Sequence, residues 1–193
     1  MHKMRAVGAL VGLAIGDALG APLEGLPPAP FAVTEMVGGG IHDVDIGQYT
    51  DDTLQASALA QTLIECGGFD PAEFARRLVL VYHAHPEFFG PTSRAVLDLV
   101  DEGVAPTVAA RMAHEARGGS RSNGSVMRGI PVGIFYLPGE VREASLAASR
   151  VTHFDPVAGE ASAFVNRMVS GICRGEEVPV AFARALAACK DRE

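Results

Sequence analysis

At 193 residues the chain is long enough for one domain with a sizeable core, and 48% hydrophobic with 20% charged residues excludes disordered and low-complexity classes. Lys and Arg total 16 against 23 Asp and Glu; the net charge of -7 argues against a nucleic-acid or anionic-membrane partner and leaves small polar or phosphorylated ligands open. Cys66, Cys173 and Cys189 lack metal-site spacing and make no disulfide framework, so a reduced, cytoplasmic protein is expected.

The expected elements are helices. His2, Lys3 and Arg5 precede an apolar stretch, residues 6–16, that has the look of a signal peptide, but Asp17 fits that pattern badly and the stretch is too short to span a bilayer. Gly8, Gly12, Gly16 and Gly20 recur at every fourth position of a first helix over residues 4–19. Each interior glycine costs about 1 kcal/mol relative to alanine. Close packing must recover that, which predicts a central helix. Pro22 ends it, and a Pro- and Gly-rich excursion with Gly38-Gly39-Gly40 runs to about residue 49. Loops of that length in compact domains are usually functional.

Leu54, Ala58, Leu59, Leu63 and Ile64 mark a second helix over 52–65, closed by Gly67-Gly68. Asp70-Pro71 with Glu73 predicts a reciprocal N-cap on a helix carrying Phe74, Leu78, Val81 and Tyr82 as one stripe. Further helices are expected at 93–102, 107–116, 125–136, 141–151 and 157–173. The last has Val157, Ala161, Phe164, Val165, Met168 and Ile172 at helical spacing after Asp155-Pro156. A final helix covers 180–189. With no alternating strand pattern and no linker, the chain reads as a single all-α domain over residues 1–193.

Three segments carry candidate chemistry. Thr50-Asp51-Asp52-Thr53 opens the second helix; its two carboxylates and two hydroxyls suit Mg²⁺, Mn²⁺ or Ca²⁺, and equally suit the capping of free N–H groups. Residues 118–128 hold Gly, Ser, Asn and two arginines, Arg121 and Arg128, before an apolar helix. That is either an anion-binding helix start or an ordinary capped polar loop, and it is not the Gly-Lys-Ser/Thr phosphate loop. His153 precedes the helix at Asp155-Pro156 and reads as a capping residue or a catalyst. His83 and His85, two residues apart, point to different helical faces and are assigned no chemistry. Asp17, inside an apolar helix, reads as a buried, hydrogen-bonded structural acid in preference to a group that supports site residues from behind.

Taken together, residues 16–24 (Gly-Asp-Ala-Leu-Gly-Ala-Pro-Leu-Glu), 47–53, 122–128 (Ser-Asn-Gly-Ser-Val-Met-Arg) and Thr152-His153 resemble the motifs of the ADP-ribosylglycohydrolase family, in the expected order. Gly90-Pro91-Thr92-Ser93 adds to the likeness. The resemblance implies an all-α orthogonal multi-helix bundle with a binuclear Mg²⁺ or Mn²⁺ centre in a cleft. It implies hydrolysis of the glycosidic bond between ADP-ribose and a modified side chain or small molecule. By motif position it assigns Thr50, Asp51 and Asp52 as metal ligands and Glu24, with Asp51 and Asp52, as catalytic acids, Glu24 lying on a mobile loop over the cleft. Ser120, Arg121, Ser122, Asn123, Gly124, Ser125 and Met127 would hold the diphosphate, with His153 on phosphate or ribose.

Two departures qualify it. Arg121 stands where relatives carry an aromatic that stacks on adenine. No Gly-Asp-Thr-Asp-Thr-like motif follows His153, so the second half of the expected metal ligands is not found and the domain reads as C-terminally short. Besides an active hydrolase, a nucleotide-binding homologue without catalysis and a fragment completed by a second chain therefore stay open. A copy or partner chain is expected to cover apolar surface left on the first helix.

Overall fold

The computed structural model describes residues 1–27 and 33–190, without the side chain of Lys190. Its helices are α1 (Lys3–Gly20), α2 (Asp51–Cys66), α3 (Pro71–Ala84), α4 (Pro91–Asp101), α5 (Pro106–Ala116), α6 (Ile130–Phe135), α7 (Val141–Arg150), α8 (Pro156–Cys173) and α9 (Val178–Lys190). Short 3₁₀ turns lie at Ala21–Leu23, Pro86–Phe88 and Asn123–Ser125. Among the described residues β structure is limited to an isolated antiparallel bridge between Gly39 and Val44.

Proline sits in the first two positions of α3, α4, α5, α6 and α8, where the missing N–H has no helical partner to lose. The same rule corrects the helix expected at 125–136. Pro131 cannot donate to the carbonyl four residues back, so the chain makes its 3₁₀ turn, bends through residues 126–129 and starts α6 only at Ile130. At α3, the Asp70 carboxylate accepts from the N–H groups of Ala72 and Glu73 at 2.9 Å each. Glu73 does not return the bond as expected; its carboxylate pairs with Arg76 and Arg77.

The main core joins Leu59 and Leu63 of α2, Phe74 and Leu78 of α3, Leu97 of α4, Val132 of α6 and Val151 after α7. A smaller cluster of Val96, Ala109, Ala110 and Ala113 fastens α5 to α4. On α8 the buried stripe is not the expected large apolar one. Val157 is exposed, and the inward face is Ala158, Gly159, Ser162, Ala163, Asn166, Ser170 and Cys173. Small residues there permit close packing: a Cβ on Gly159 would stand 2.7 Å from Leu146 Cδ2, and one on Gly129 2.6 Å from Asn166 Oδ1. Asn166 donates to Ser145 Oγ at 2.9 Å and bridges α7 and α8.

The glycine-ridged helix is not central. Only Ala6, Asp17 and Ala18 of α1 are buried, and a Cβ added at Gly8, Gly12, Gly16 or Gly20 would meet nothing within 4 Å. Met4, Val7, Leu10, Val11 and Ile15 are exposed on the same helix. The packing that would offset the glycines is not supplied by the described residues. With its terminal turn this segment, Lys3–Leu23, covers 21 residues and holds an 18-residue window with a mean hydropathy of 1.7, long and apolar enough to cross a membrane and longer than the stretch read from sequence. Its buried Asp17, however, is bonded into α2, which makes α1 a working part of this fold.

Candidate active site

The start of α2 is organised from a distance. Thr50, the N-cap residue, makes no capping bond with its own side chain. The Asp17 carboxylate instead accepts from Thr50 N–H at 3.0 Å and Thr53 N–H at 3.0 Å, and from the hydroxyls of Thr50 at 2.7 Å and Thr53 at 2.6 Å. Asp17 is thus the buried structural acid expected, and it does the capping that local sequence offered to Thr50, Asp51 or Asp52. Those two aspartates are left free of that duty.

Asp51 is held by Gln55, whose Nε2 donates to Oδ2 at 2.7 Å. Burial, then the neighbouring charges of Asp52, Glu24 and Asp17, push the Asp51 carboxyl up to about 7. Asp52 is likewise pushed up to about 7 by burial, Asp17 and Glu24. Crowded acids of this kind favour a bound cation or a retained proton.

Glu24 follows the turn at Ala21–Leu23, and its Oε2 lies 3.0 Å from His42 Nε2. His42 comes from a tight turn closed by the Gly39–Val44 bridge, with Asp43 in the left-handed region at φ 47°. Gly40 lets this turn sit flush on Pro22: at φ 75°, a Cβ there would stand 2.6 Å from Pro22 O. The His42 ring meets Phe88 edge-on at 5.6 Å between centroids.

The acids share a cleft with His153 and residues 122–124. His153 Nε2 is 2.9 Å from Ser122 Oγ, and Nδ1 is 2.8 Å from Thr152 Oγ1. Burial, with the nearby charge of Arg128, pushes the His153 imidazole down to about 3, so it is neutral at working pH. A Cβ on Gly124 would stand 2.6 Å from His153 Cε1, so only glycine lets the loop lie against the ring. The cleft has a volume of about 580 Å³, and its lining also includes Phe88, Phe89, Thr92, Ser93 and Arg94.

Of the residues singled out from sequence, Glu24, Asp51, Asp52, Ser122, Asn123, Gly124, Met127 and His153 line this one cleft. Thr50, Ser120, Arg121 and Ser125 do not. Thr50 is fully buried beneath the acids with its hydroxyl donated to Asp17. Ser120 lies behind Thr92, oxygen to oxygen at 2.7 Å. Arg121 turns outward to Asp155 at 3.1 Å, which takes it away from stacking in the cleft. Ser125 is buried and donates to Ala158 O at 3.3 Å. The expected helix start behind the loop is a single 3₁₀ turn. Sequence reading missed His42, Gln55 and the cleft-lining Arg94, and gave Arg128 no role beyond charge. A loop histidine and a mid-helix glutamine carry no local signal.

The family model for ADP-ribosylglycohydrolase matches residues 2–193. The chain belongs to the ADP-ribosylglycohydrolase family. It is 32% identical over 195 residues to a Rhodospirillum rubrum protein named ADP-ribosyl-[dinitrogen reductase] glycohydrolase, covering 97% of this chain and 61% of that protein. It is 38% identical over 159 residues to ADP-ribosylarginine hydrolase Tri1 of Pseudomonas putida, covering 75% of this chain and 38% of that one. A solved structure titled ADP-ribosylglycohydrolase-related protein complex superposes with a TM-score of 0.76 at 33% identity, over 95% of this chain and 60% of the other. The helices described above are therefore the all-α fold of this family, and the chain spans less than two thirds of the length of these relatives.

Proposed function

We propose that this chain forms the substrate cleft of a metal-dependent ADP-ribosylglycohydrolase, which hydrolyses the glycosidic bond between ADP-ribose and a modified side chain or small molecule. One observation carries the reading: Glu24, Asp51 and Asp52 share a cleft with residues 122–124 and His153. Acids suited to a hydrolytic centre are joined there by neutral donors suited to a phosphate or ribose. The family and the named relatives support the same substrate class.

The acids also fit a divalent ion. Asp51 and Asp52 crowd against Glu24 and Asp17 with carboxyls raised to about 7, the condition a hard cation relieves. Asp51 and Asp52 would hold Mg²⁺ or Mn²⁺, joined by the Thr50 oxygen, whose proton already points to Asp17. Bound there, such an ion supplies Lewis acidity and orients the distal ribose hydroxyls and a water. In this reading Gln55 keeps the Asp51 carboxylate aimed, and Asp17 holds both threonines. His153 and the N–H groups of residues 122–124 receive the diphosphate. A carboxylate among Glu24, Asp51 and Asp52 takes the proton from the attacking water. The cluster's negative charge stabilises oxocarbenium character at the anomeric carbon.

A second reading has its own observation. Among the described residues no group of three or more His, Cys, Asp or Glu side chains is arranged to hold a metal. Two carboxylates and a hydroxyl leave most of such an ion's oxygen shell to water, to substrate or to another chain. A nucleotide-binding homologue, or a half-site that a partner chain or second copy completes, fits that fact. The free cysteines Cys66, Cys173 and Cys189 are in keeping with a cytoplasmic setting.

Hydrolysis separates the two readings. Release of ADP-ribose from arginine- and serine-linked peptides is followed with Mn²⁺, with Mg²⁺ and with EDTA. The hydrolase reading predicts metal-dependent release that falls at least ~100-fold in Glu24→Gln while ADP-ribose still binds. Binding without release by the wild-type chain favours the second reading.

A further inference from the structure

We infer that Arg128 and Thr152 are positioning residues that fix His153 as the Nε2–H tautomer, so that the imidazole offers the cleft a neutral hydrogen-bond donor. The argument starts from a buried cation. Arg128 is 1% exposed, the bulkiest fully buried side chain among the described residues. Its Nη1 donates to Gln55 Oε1 at 2.7 Å, and its Nη2 donates to Thr152 Oγ1 at 2.7 Å and Ala148 O at 3.2 Å. Phe74 lies beneath it, ring centroid 5.1 Å from Cζ.

A guanidinium only donates. Thr152 Oγ1 is therefore the acceptor from Arg128; the oxygen has a second lone pair, but its buried O–H needs an acceptor, and among the described residues only one partner besides Arg128 lies within hydrogen-bond distance of it. That partner is His153 Nδ1, 2.8 Å away. With Thr152 donating, Nδ1 must be the unprotonated ring nitrogen. A neutral imidazole has one N–H, and it is then on Nε2, which faces Ser122 Oγ at 2.9 Å. Burial and the charge of Arg128 keep the ring from taking a second proton. Turning the ring over would put carbons against both Thr152 and Ser122 and lose both bonds. Gly124, flush against Cε1, leaves little room for other orientations.

The same guanidinium also reaches the acids, through Gln55. Because Gln55 Oε1 accepts from Arg128, its Nε2 faces Asp51 Oδ2 as a donor at 2.7 Å. One buried residue thus sets the polarity of the hydrogen bonds that reach both the acids and the phosphate side. The consequence for ligands is chemical: with Nε2–H given to Ser122 Oγ at 2.9 Å, an accepting oxygen such as a phosphate oxyanion can take the Nε2–H in place of Ser122 or receive the Ser122 O–H, whereas a donor meets no acceptor there. That consequence rests on the ADP-ribose reading; the tautomer itself does not.

The test is long-range ¹H–¹⁵N correlation on the full chain labelled at histidine nitrogens. The expected His153 pattern is a protonated Nε2 and a bare Nδ1, unchanged from pH 8 to pH 5. Thr152→Val, which keeps the shape and removes the hydroxyl, is expected to bring the two nitrogen shifts together through tautomer exchange, and Thr152→Ser to restore the wild-type pattern. A protonated Nδ1 in the wild type, an imidazolium, or an unmixed Nε2–H pattern in folded Thr152→Val each overturns the assignment. Thr152 variants carry the test because Arg128 variants risk losing the core. Titration with ADP-ribose then separates the two claims. A shift of the Nε2 resonance, with affinity about tenfold weaker in Thr152→Val, supports both. The expected tautomer with no response to ADP-ribose supports the assignment and counts against the ADP-ribose reading alone.

Discussion

Gly124→Ala probes the phosphate-side wall with one methyl group. The added Cβ would lie 2.6 Å from His153 Cε1 and 2.9 Å from Nε2, with Ser93 Oγ at 3.7 Å. Carbon atoms at rest stay about 3.5–4.0 Å apart, so the overlap is roughly an ångström. His153 cannot absorb it cheaply, because it is 2% exposed and held at 2.8 Å by Thr152 and 2.9 Å by Ser122. The loop must move outward into the cleft. Overpacking of this kind costs about 1–3 kcal/mol of stability, and losing one aligned hydrogen bond to a charged ligand costs about 1.5–3 kcal/mol of binding. ADP-ribose affinity should therefore fall ~10–100-fold, read by calorimetry beside a thermal melt. Gly139→Ala, whose Cβ would meet nothing within 4 Å, is the control and should bind as wild type. A folded Gly124→Ala with unchanged ADP-ribose affinity would refute the assignment of residues 122–124 and His153 to the ligand.

Other outcomes follow from the same contacts. In metal-free buffer, the Asp52 carboxyl titrates near 7 in the folded chain against about 3.9 when unfolded. Between about pH 4 and 7 the folded state then holds the extra proton and stability falls as pH rises. Asp52→Asn should accordingly raise Tm at pH 8 and leave it unchanged at pH 4, and parallel pH profiles for the two proteins would contradict the crowding argument. Asp51→Ala with Asp52→Ala should abolish Mn²⁺ binding by calorimetry; an unchanged isotherm would move the metal elsewhere. Asp17→Ala removes the acceptor for two N–H groups and two hydroxyls at the start of α2 and should cost about 3 kcal/mol in urea unfolding, whereas a loss under about 0.5 kcal/mol would make the cap incidental. The exposed apolar face of α1, with Val11 at 50% and Ile15 at 51%, should drive self-association. A strict monomer in light scattering at micromolar concentration, with no binding of the dye ANS, would count against it.

What the sequence made legible was local. Asp70-Pro71 and Asp155-Pro156 announce α3 and α8 because cap, proline and first turn lie within a few residues, and both carboxylates accept the expected N–H bonds. Glu24, Asp51, Asp52 and His153 were found through short motifs, and the fold brings them to one cleft. What escaped depends on pairs far apart in the chain: Asp17 with Thr50 across 33 residues, and Arg128 with Gln55 across 73. Helical period also misled on α8, where close approach to α7 selects Gly159, and to residues 125–129 Ser162, for the buried face. On α1 the four-residue glycine period marks no packed face among the described residues, since a Cβ at each glycine would meet nothing within 4 Å.

The claim that the acids hold the distal ribose and the loop the diphosphate of one ADP-ribose can be measured directly by nuclear relaxation. Trace Mn²⁺ is added to the chain with excess ADP-ribose, and paramagnetic broadening is read on the distal ribose protons, the two phosphorus nuclei and the adenine protons. If Asp51 and Asp52 hold the ion and residues 122–124 with His153 hold the diphosphate, broadening is strongest at the distal ribose, weaker at phosphorus and weakest at adenine. It disappears in the Asp51→Ala, Asp52→Ala variant. Broadening centred on the phosphorus nuclei and unchanged in that variant would mean that the ion rides on the diphosphate, and would contradict that division of the site.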